Sequence, residues 1–371
     1  MKQVNHQTSS AKPIFATHSD QLEFNRLRKE VGEIVQRLAP RRQKEILLKA
    51  IVFPVLYVLT YLAALTYGSY LPLFYACYFL LGLELVFIFL NTIHDAVHGT
   101  LFQRKTHNRW FVCFFDLMGA NSYIWQLRHV RFHHNYPNVN GWDTDIEQSK
   151  LFRVFPDGAY AGFHRYQHIY LPLLYPFYLA NWLLVRDFKD FFSTRRTVRK
   201  LVDIPAREYV RLLFFKAFFL FYLIVLPIWV LGLAWWQVIA AFGLMLFTAS
   251  IFSLMVLLSP HANTGADFPL PDNNNRLPYD WMMHMLKTTN DVSHNNWCTR
   301  YLMGCFNFHV AHHLFPHVNH VFYPEITQRL QQYAEEHHLP YRSCSLYQSL
   351  KSHYQLLKQN RMPENLFEET M

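Results

Sequence analysis

Of the 21 histidines in this chain of 371 residues, eight fall into three tight clusters. His94-Asp95-Ala96-Val97-His98 sets two imidazoles four residues apart. His129-Val130-Arg131-Phe132-His133-His134 repeats the spacing and adds a neighbour, and His309-Val310-Ala311-His312-His313 is an i, i+3, i+4 set. Residues i and i+4 share one face of a helix, so each cluster predicts a patch of imidazole. Solvated or packed histidines would gain nothing from this repetition, and the chemistry it suggests is metal binding. Eight ligands are too many for one ion, whereas two ions of four to six ligands each would use about this number. A structural zinc site usually includes Cys and closes on about four ligands. Here Cys77, Cys113, Cys298, Cys305 and Cys344 form no C-x-x-C pair and read as reduced thiols. Imidazole suits zinc, copper, iron and nickel alike, so spacing alone does not choose the metal.

Further residues belong to the same expectation. His261 is the first ionisable side chain after a long charge-free block. It leaves that block much as His94 leaves an earlier one, which makes it the expected ninth ligand. The competitor is His294, in the loop before the third cluster, and His317 and His320 follow behind. Asp95, Asp143 and Asp145 lie among the clusters, where a carboxylate can accept a hydrogen bond from a ligand's other ring nitrogen and fix its tautomer; the plainer alternative is a capping or loop carboxylate. His294 is also a candidate for such a supporting role. Glu84 lies inside an apolar block, as a functional acid or as a helix–helix contact. His6, His18, His337, His338 and His353 belong to polar ends and read as solvated.

The elements that must position these residues are membrane helices. Apolar residues make up 51% of the chain and charged ones 16%, against roughly 25% charged in soluble proteins. From Ala50 to Ile93 the only charge is Glu84, and from Ala217 to Pro260 there is none. Each block has 44 residues, and a crossing takes about 20. Each therefore reads as a hairpin of two helices, turning at 67–72 and 231–236. Basic residues from Arg26 to Lys49 precede the first hairpin, those from Arg186 to Lys216 precede the second, and the turns carry none. The positive-inside rule then puts both termini and all His clusters on the cytoplasmic side. The formal charge of +9 reads as juxtamembrane anchoring rather than nucleic-acid binding. Trp110 to Leu127 and Ile169 to Val185 read as membrane-surface segments. The first forty residues contain no signal peptide.

The expected architecture is all-α and integral to the membrane, with four transmembrane helices as two hairpins and a cytoplasmic His-rich helical cap. Its parts are a polar cytoplasmic segment, 1–45, a membrane domain, 46–323, with hairpins at about 50–93 and 217–260, and a cytoplasmic C-terminal helix and tail, 324–371.

The three clusters, with their flanks, resemble the His boxes of the membrane fatty acid desaturase superfamily, which also contains lipid hydroxylases and carotenoid ketolases. The likeness includes Asn91-Thr92-Ile93 before the first box, Asn135-Tyr136-Pro137-Asn138-Val139-Asn140-Gly141-Trp142-Asp143-Thr144-Asp145 after the second, and Asn307-Phe308 and Leu314-Phe315-Pro316 around the third. It is nearest in look to bacterial acyl-lipid and linoleoyl-CoA-type desaturases. Front-end members of that subgroup usually begin the third box with Gln, where this chain has His309. The resemblance implies two non-haem iron ions held by His94, His98, His129, His133, His134, His309, His312 and His313, with an isolated ligand at the position of His261. It implies O2 as co-substrate and desaturation of a fatty acyl chain carried on lipid or CoA. No His-Pro-Gly-Gly stretch occurs, so electrons are expected from a separate donor of cytochrome b5 or ferredoxin type. The other expectations are hydroxylation or ketolation of a lipid or carotenoid by the same centre, and a non-catalytic metal-binding membrane protein. The expected location is a bacterial inner membrane, with the active site cytoplasmic.

Overall fold

The computed structural model of the chain describes residues 12–16, 21–147, 150–258 and 260–362; His6 and His18 lie outside them. The described residues are mostly helical. Their strand content is a two-residue parallel pair, Asp291–Val292 with Ser343–Cys344, and an isolated bridge from Ile14 to Arg276. Among the described residues, four helices are long and apolar enough to cross a membrane: Glu23–Tyr67, Leu71–Val97, Ala206–Leu231 and Trp235–Leu257. The first belongs to a helix that runs unbroken over Gln21–Tyr67, so the expected boundary at residues 45 and 46 falls inside it. The reason is local, since the polar half is rich in Arg, Lys, Glu, Gln and Leu, all good helix formers.

Short turns join these helices in pairs. Pro72 stands at the start of the second helix, where its missing N–H has no intrahelical partner to lose. Gly232, at φ 64°, ends the third in a left-handed cap, which costs a glycine little. The second and fourth helices form the inner pair: 56% of the most apolar window of each is buried, against 22% for the first and third. They meet at Gly82, where a Cβ would lie 2.4 Å from the Met245 carbonyl oxygen, so only hydrogen fits. The outer pair exposes Ile51, Leu59, Phe214 and Trp229, a surface suited to lipid. Tyr67, Tyr70, Trp235 and Trp236 are exposed at the turns, as interfacial aromatics would be.

Among the polar residues, Glu84 takes one of its two expected roles, and two lysines are placed differently from the sequence expectation. Glu84 is buried and accepts a hydrogen bond from Thr60 Oγ1 at 2.8 Å, which makes it a contact between the first two helices. Lys49 and Lys216, counted among the basic flanks, are both buried; Lys216 pairs with Asp187 at 2.6 Å. In the segment 162–186, Leu173 and Phe177 stay exposed, as does Trp110 in the helix Lys105–Leu117.

The C-terminal part closes onto the site. Helix Tyr323–Glu336 buries Tyr323, Ile326, Leu330 and Tyr333, and helix Leu346–Gln359 follows it. His353 is buried rather than solvated: its Nδ1–H donates to the Ala262 carbonyl at 2.6 Å, and its Nε2 accepts from the Tyr175 hydroxyl at 2.5 Å. Burial pushes it from 6.5 down to about 4. A depressed pKa means that the unfolded chain takes the proton first. The stabilising contribution is therefore complete above about pH 6.5 and is lost as pH falls from there towards 4. Melting temperature in detergent should fall over that window, and His353→Gln should flatten the fall.

Candidate metal centre

A π-helical turn, Phe89–Ile93, precedes His94 at the end of the second spanning helix. Beyond it the His98 N–H bonds the His94 carbonyl at 3.2 Å, so these two rings share a face as i and i+4. The second box differs. Residues Leu127–His133 are π-helical, and the His134 N–H bonds the His129 carbonyl at 3.0 Å. A π turn steps by five residues rather than four, so His129 pairs with His134 and His133 points elsewhere. This corrects the i, i+4 pairing expected for His129 and His133: their ring centroids lie 5.5 Å apart, against 4.6 Å for His129 and His134. The third box is an α-helix, His309–Leu314. It directs His309 and His313 one way and His312 another.

The nine histidines thus form two adjoining groups. His94, His98, His129, His134 and His312 make one, and His133, His261, His309 and His313 the other; within each, the potential ligand atoms lie within 4.8 Å of one another. All nine are buried. The groups touch through His134 and His313, whose rings stack at 4.6 Å. His261 enters from the end of the fourth spanning helix, where the Thr288 carbonyl accepts from its Nδ1–H at 3.0 Å.

Hydrogen bonds on the outer nitrogens fix the tautomers of three of the nine. His129 Nδ1 donates to Asp145 at 2.7 Å, His133 Nδ1 to Asp143 at 2.9 Å, and His261 to Thr288. Each therefore presents an Nε2 lone pair inwards when neutral. His261 Nε2 lies 2.9 Å from Nε2 of both His309 and His313, and His129 Nε2 lies 3.0 Å from that of His94 and 3.2 Å from that of His134. His98 has neither ring nitrogen paired, and Nε2 of His312 is also without a partner. Converging lone pairs and orphaned buried nitrogens are costly without a cation between them.

The electrostatics agree. Burial first, and then neighbouring imidazoles, push His98, His134, His309, His312 and His313 well below the ordinary imidazole value. His261 is pushed down to about 3, again by burial first and then by His133. Neutral imidazole is the form that binds metal. Burial also opposes charge on His133, but Asp143 outweighs it and the net shift is upward. Asp143 and Asp145 resist their own burial because their imidazole partners hold both below the usual carboxylate range. Removing either carboxylate's charge, in Asp143→Asn or Asp145→Asn, is expected to weaken metal retention roughly 10–100-fold. Metal content after graded chelation would measure it.

The remaining candidates sit apart. Asp95 accepts from His320 Nδ1 at 2.5 Å and from Asn319 Nδ2 at 2.8 Å, not from a member of either group. His294 is exposed and contributes only its carbonyl, to Asn307 Nδ2; the tight hydrogen-bonded loop turns its ring outwards. His317 is exposed as well. Nothing in the sequence signalled Thr288 or Tyr323, whose hydroxyl lies 3.1 Å from His312 Nδ1.

A helical membrane scaffold with two buried, adjoining all-histidine groups beside the ends of its inner helices defines a class of membrane protein with a site able to hold metal. The chain belongs to the fatty acid desaturase family, whose model matches residues 68–345. Among its relatives is the sn-1 linoleoyl-lipid 6-desaturase of Arthrospira platensis, 29% identical over 279 residues, which are 75% of each chain. The protein of the same name from Synechocystis is 26% identical over 75% of this chain and 78% of its own. The acyl-lipid (8-3)-desaturase B of Dictyostelium discoideum is 32% identical over 72% of this chain and 60% of its own.

Proposed function

We propose that this protein is an oxygen-dependent di-iron desaturase that places a double bond in the acyl chain of a membrane lipid. The observation that supports it best is the division of nine buried histidines into groups of five and four. The donor set fits iron: every group member offers imidazole nitrogen, and Asp145, Asp143 and Thr288 already turn the lone pairs of His129, His133 and His261 inwards. When bound, two iron ions supply the dioxygen chemistry needed to break unactivated C–H bonds, which no side chain can do.

The protein's own residues do the rest. A narrow apolar cleft bordered by Val86, Phe89, Phe115, Met118 and Trp182 offers an acyl chain an approach once these side chains move apart, and the Phe89 ring centroid lies 6.3 Å from that of His94. Burial of the histidines keeps bulk water from the reacting carbon. In the net reaction the chain gives up two hydrogens, which leave with dioxygen, two electrons and two protons as two waters. The electrons come from a separate donor of cytochrome b5 or ferredoxin type. The relatives' names favour a lipid-linked acyl chain over acyl-CoA.

Both termini, the His groups and the basic flanks share the cytoplasmic side in this reading. Thiol labelling at Thr194→Cys and Lys351→Cys, both exposed positions, in a variant without native cysteines, tests it; modification of either from outside the cell excludes the arrangement. The reaction is tested by expression in a host with simple lipids and profiling of the acyl chains. Loss of two hydrogens is the expected change, gain of one oxygen would indicate a hydroxylase, and iron bound without oxygen uptake would indicate metal storage.

A further inference from the structure

The site contains a third His–Asp pair that faces no metal group. His320 Nδ1 lies 2.5 Å from Asp95 Oδ2, as His129 and His133 face Asp145 and Asp143. Its Nε2, however, is 2.8 Å from the ammonium of Lys49. An ammonium can only donate. His320 Nε2 therefore accepts, Nδ1 carries the proton, and the bonds run in one direction from Lys49 through His320 to Asp95. Lys49 also donates to the Arg300 carbonyl at 2.8 Å, and Lys49, His320 and Asp95 are all buried.

This chain links three separate elements: the first spanning helix, the turn after the third box, and the first box itself. Asp95 is the neighbour of His94, and His320 follows His312 by eight residues. His94 and His312 meet in the five-histidine group with ring centroids 4.5 Å apart. Asn319 reinforces the tie, donating to Asp95 Oδ2 at 2.8 Å and to the Thr100 carbonyl at 3.2 Å.

We propose that His320 is a positioning residue, and that Lys49, standing where the other two His–Asp pairs face metal, fixes the separation of first-box and third-box ligands in the five-histidine group. The inference rests on the di-iron reading. A ligand pair held from both sides binds metal without first being ordered, and loss of such supporting bonds typically costs about 10–100-fold in affinity or activity. His320→Leu keeps bulk and removes both bonds. His320→Gln keeps them, because its amide oxygen can accept from Lys49 while its NH2 donates to Asp95.

Iron per purified chain, Mössbauer spectra of 57Fe-loaded protein, and kcat and KM for the lipid are the readouts. In His320→Leu, iron should fall from two per chain towards one, with the spectrum of the four-histidine group retained. In that variant kcat should drop roughly 10–100-fold at unchanged KM, and His320→Gln should restore both iron and kcat. If His320→Leu does not fold, Lys49→Met, which removes only the ammonium, carries the same expectation. Two irons and normal kcat in the variant that folds would overturn the proposal, as would equal loss from both groups or failure of His320→Gln to rescue. Wild-type protein that binds no iron would instead overturn the di-iron reading itself.

Discussion

Replacing His312 by Ala is expected to abolish the unsaturated product and to empty the five-histidine group. His312 stands at its centre: its ring lies 4.5 Å from His94, 4.4 Å from His134 and 5.1 Å from His98. It is the group's one member from the third box, and its Nε2 is unpaired in the folded protein. In the di-iron reading its loss removes a metal bond, and it leaves a void among imidazoles whose pKa values burial pushes down. The effect should exceed the roughly 10–100-fold typical when a ligand merely loses its hydrogen-bonding partner. Acyl-chain profiles and iron content would show it, with His337→Ala, at an exposed position, as the unaffected control. Full activity in His312→Ala would refute the assignment.

The second large effect is expected at His261. Its group has four members, so His261→Ala leaves His133, His309 and His313, and iron should fall by about half while product disappears. His261 Nε2 lies 2.9 Å from Nε2 of both His309 and His313; among the described residues, no other one from the second pair of spanning helices joins either group. His294→Ala should change neither iron nor activity, because that side chain faces solvent. Iron and activity retained in His261→Ala but lost in His294→Ala would reverse the roles.

Much of this was legible from residue types and spacing. Charge-free runs fix helices that water cannot accommodate, so two long apolar blocks already implied four membrane helices. The eight clustered histidines, and His261 at a helix end, follow from the same one-dimensional pattern. Asp143 and Asp145 stood out as carboxylates beside a box, although the sequence left a capping role equally open.

The division of the histidines into five and four was decided only in the tertiary structure. Helical spacing pairs His129 with His133, but the π turn shifts the step to five residues and pairs His129 with His134. Whether a backbone adopts that turn depends on what packs around it, not on the spacing itself. Partners far apart in sequence were equally hidden. Asp95 meets His320 across 225 residues and Lys49 meets the same ring across 271, so a lysine that read as a membrane-surface anchor becomes a buried strut. Composition and periodicity select which faces are buried, because transfer from water depends on side-chain type. Which buried polar atom meets which is set by the folded geometry, where each must find a partner within about 3 Å.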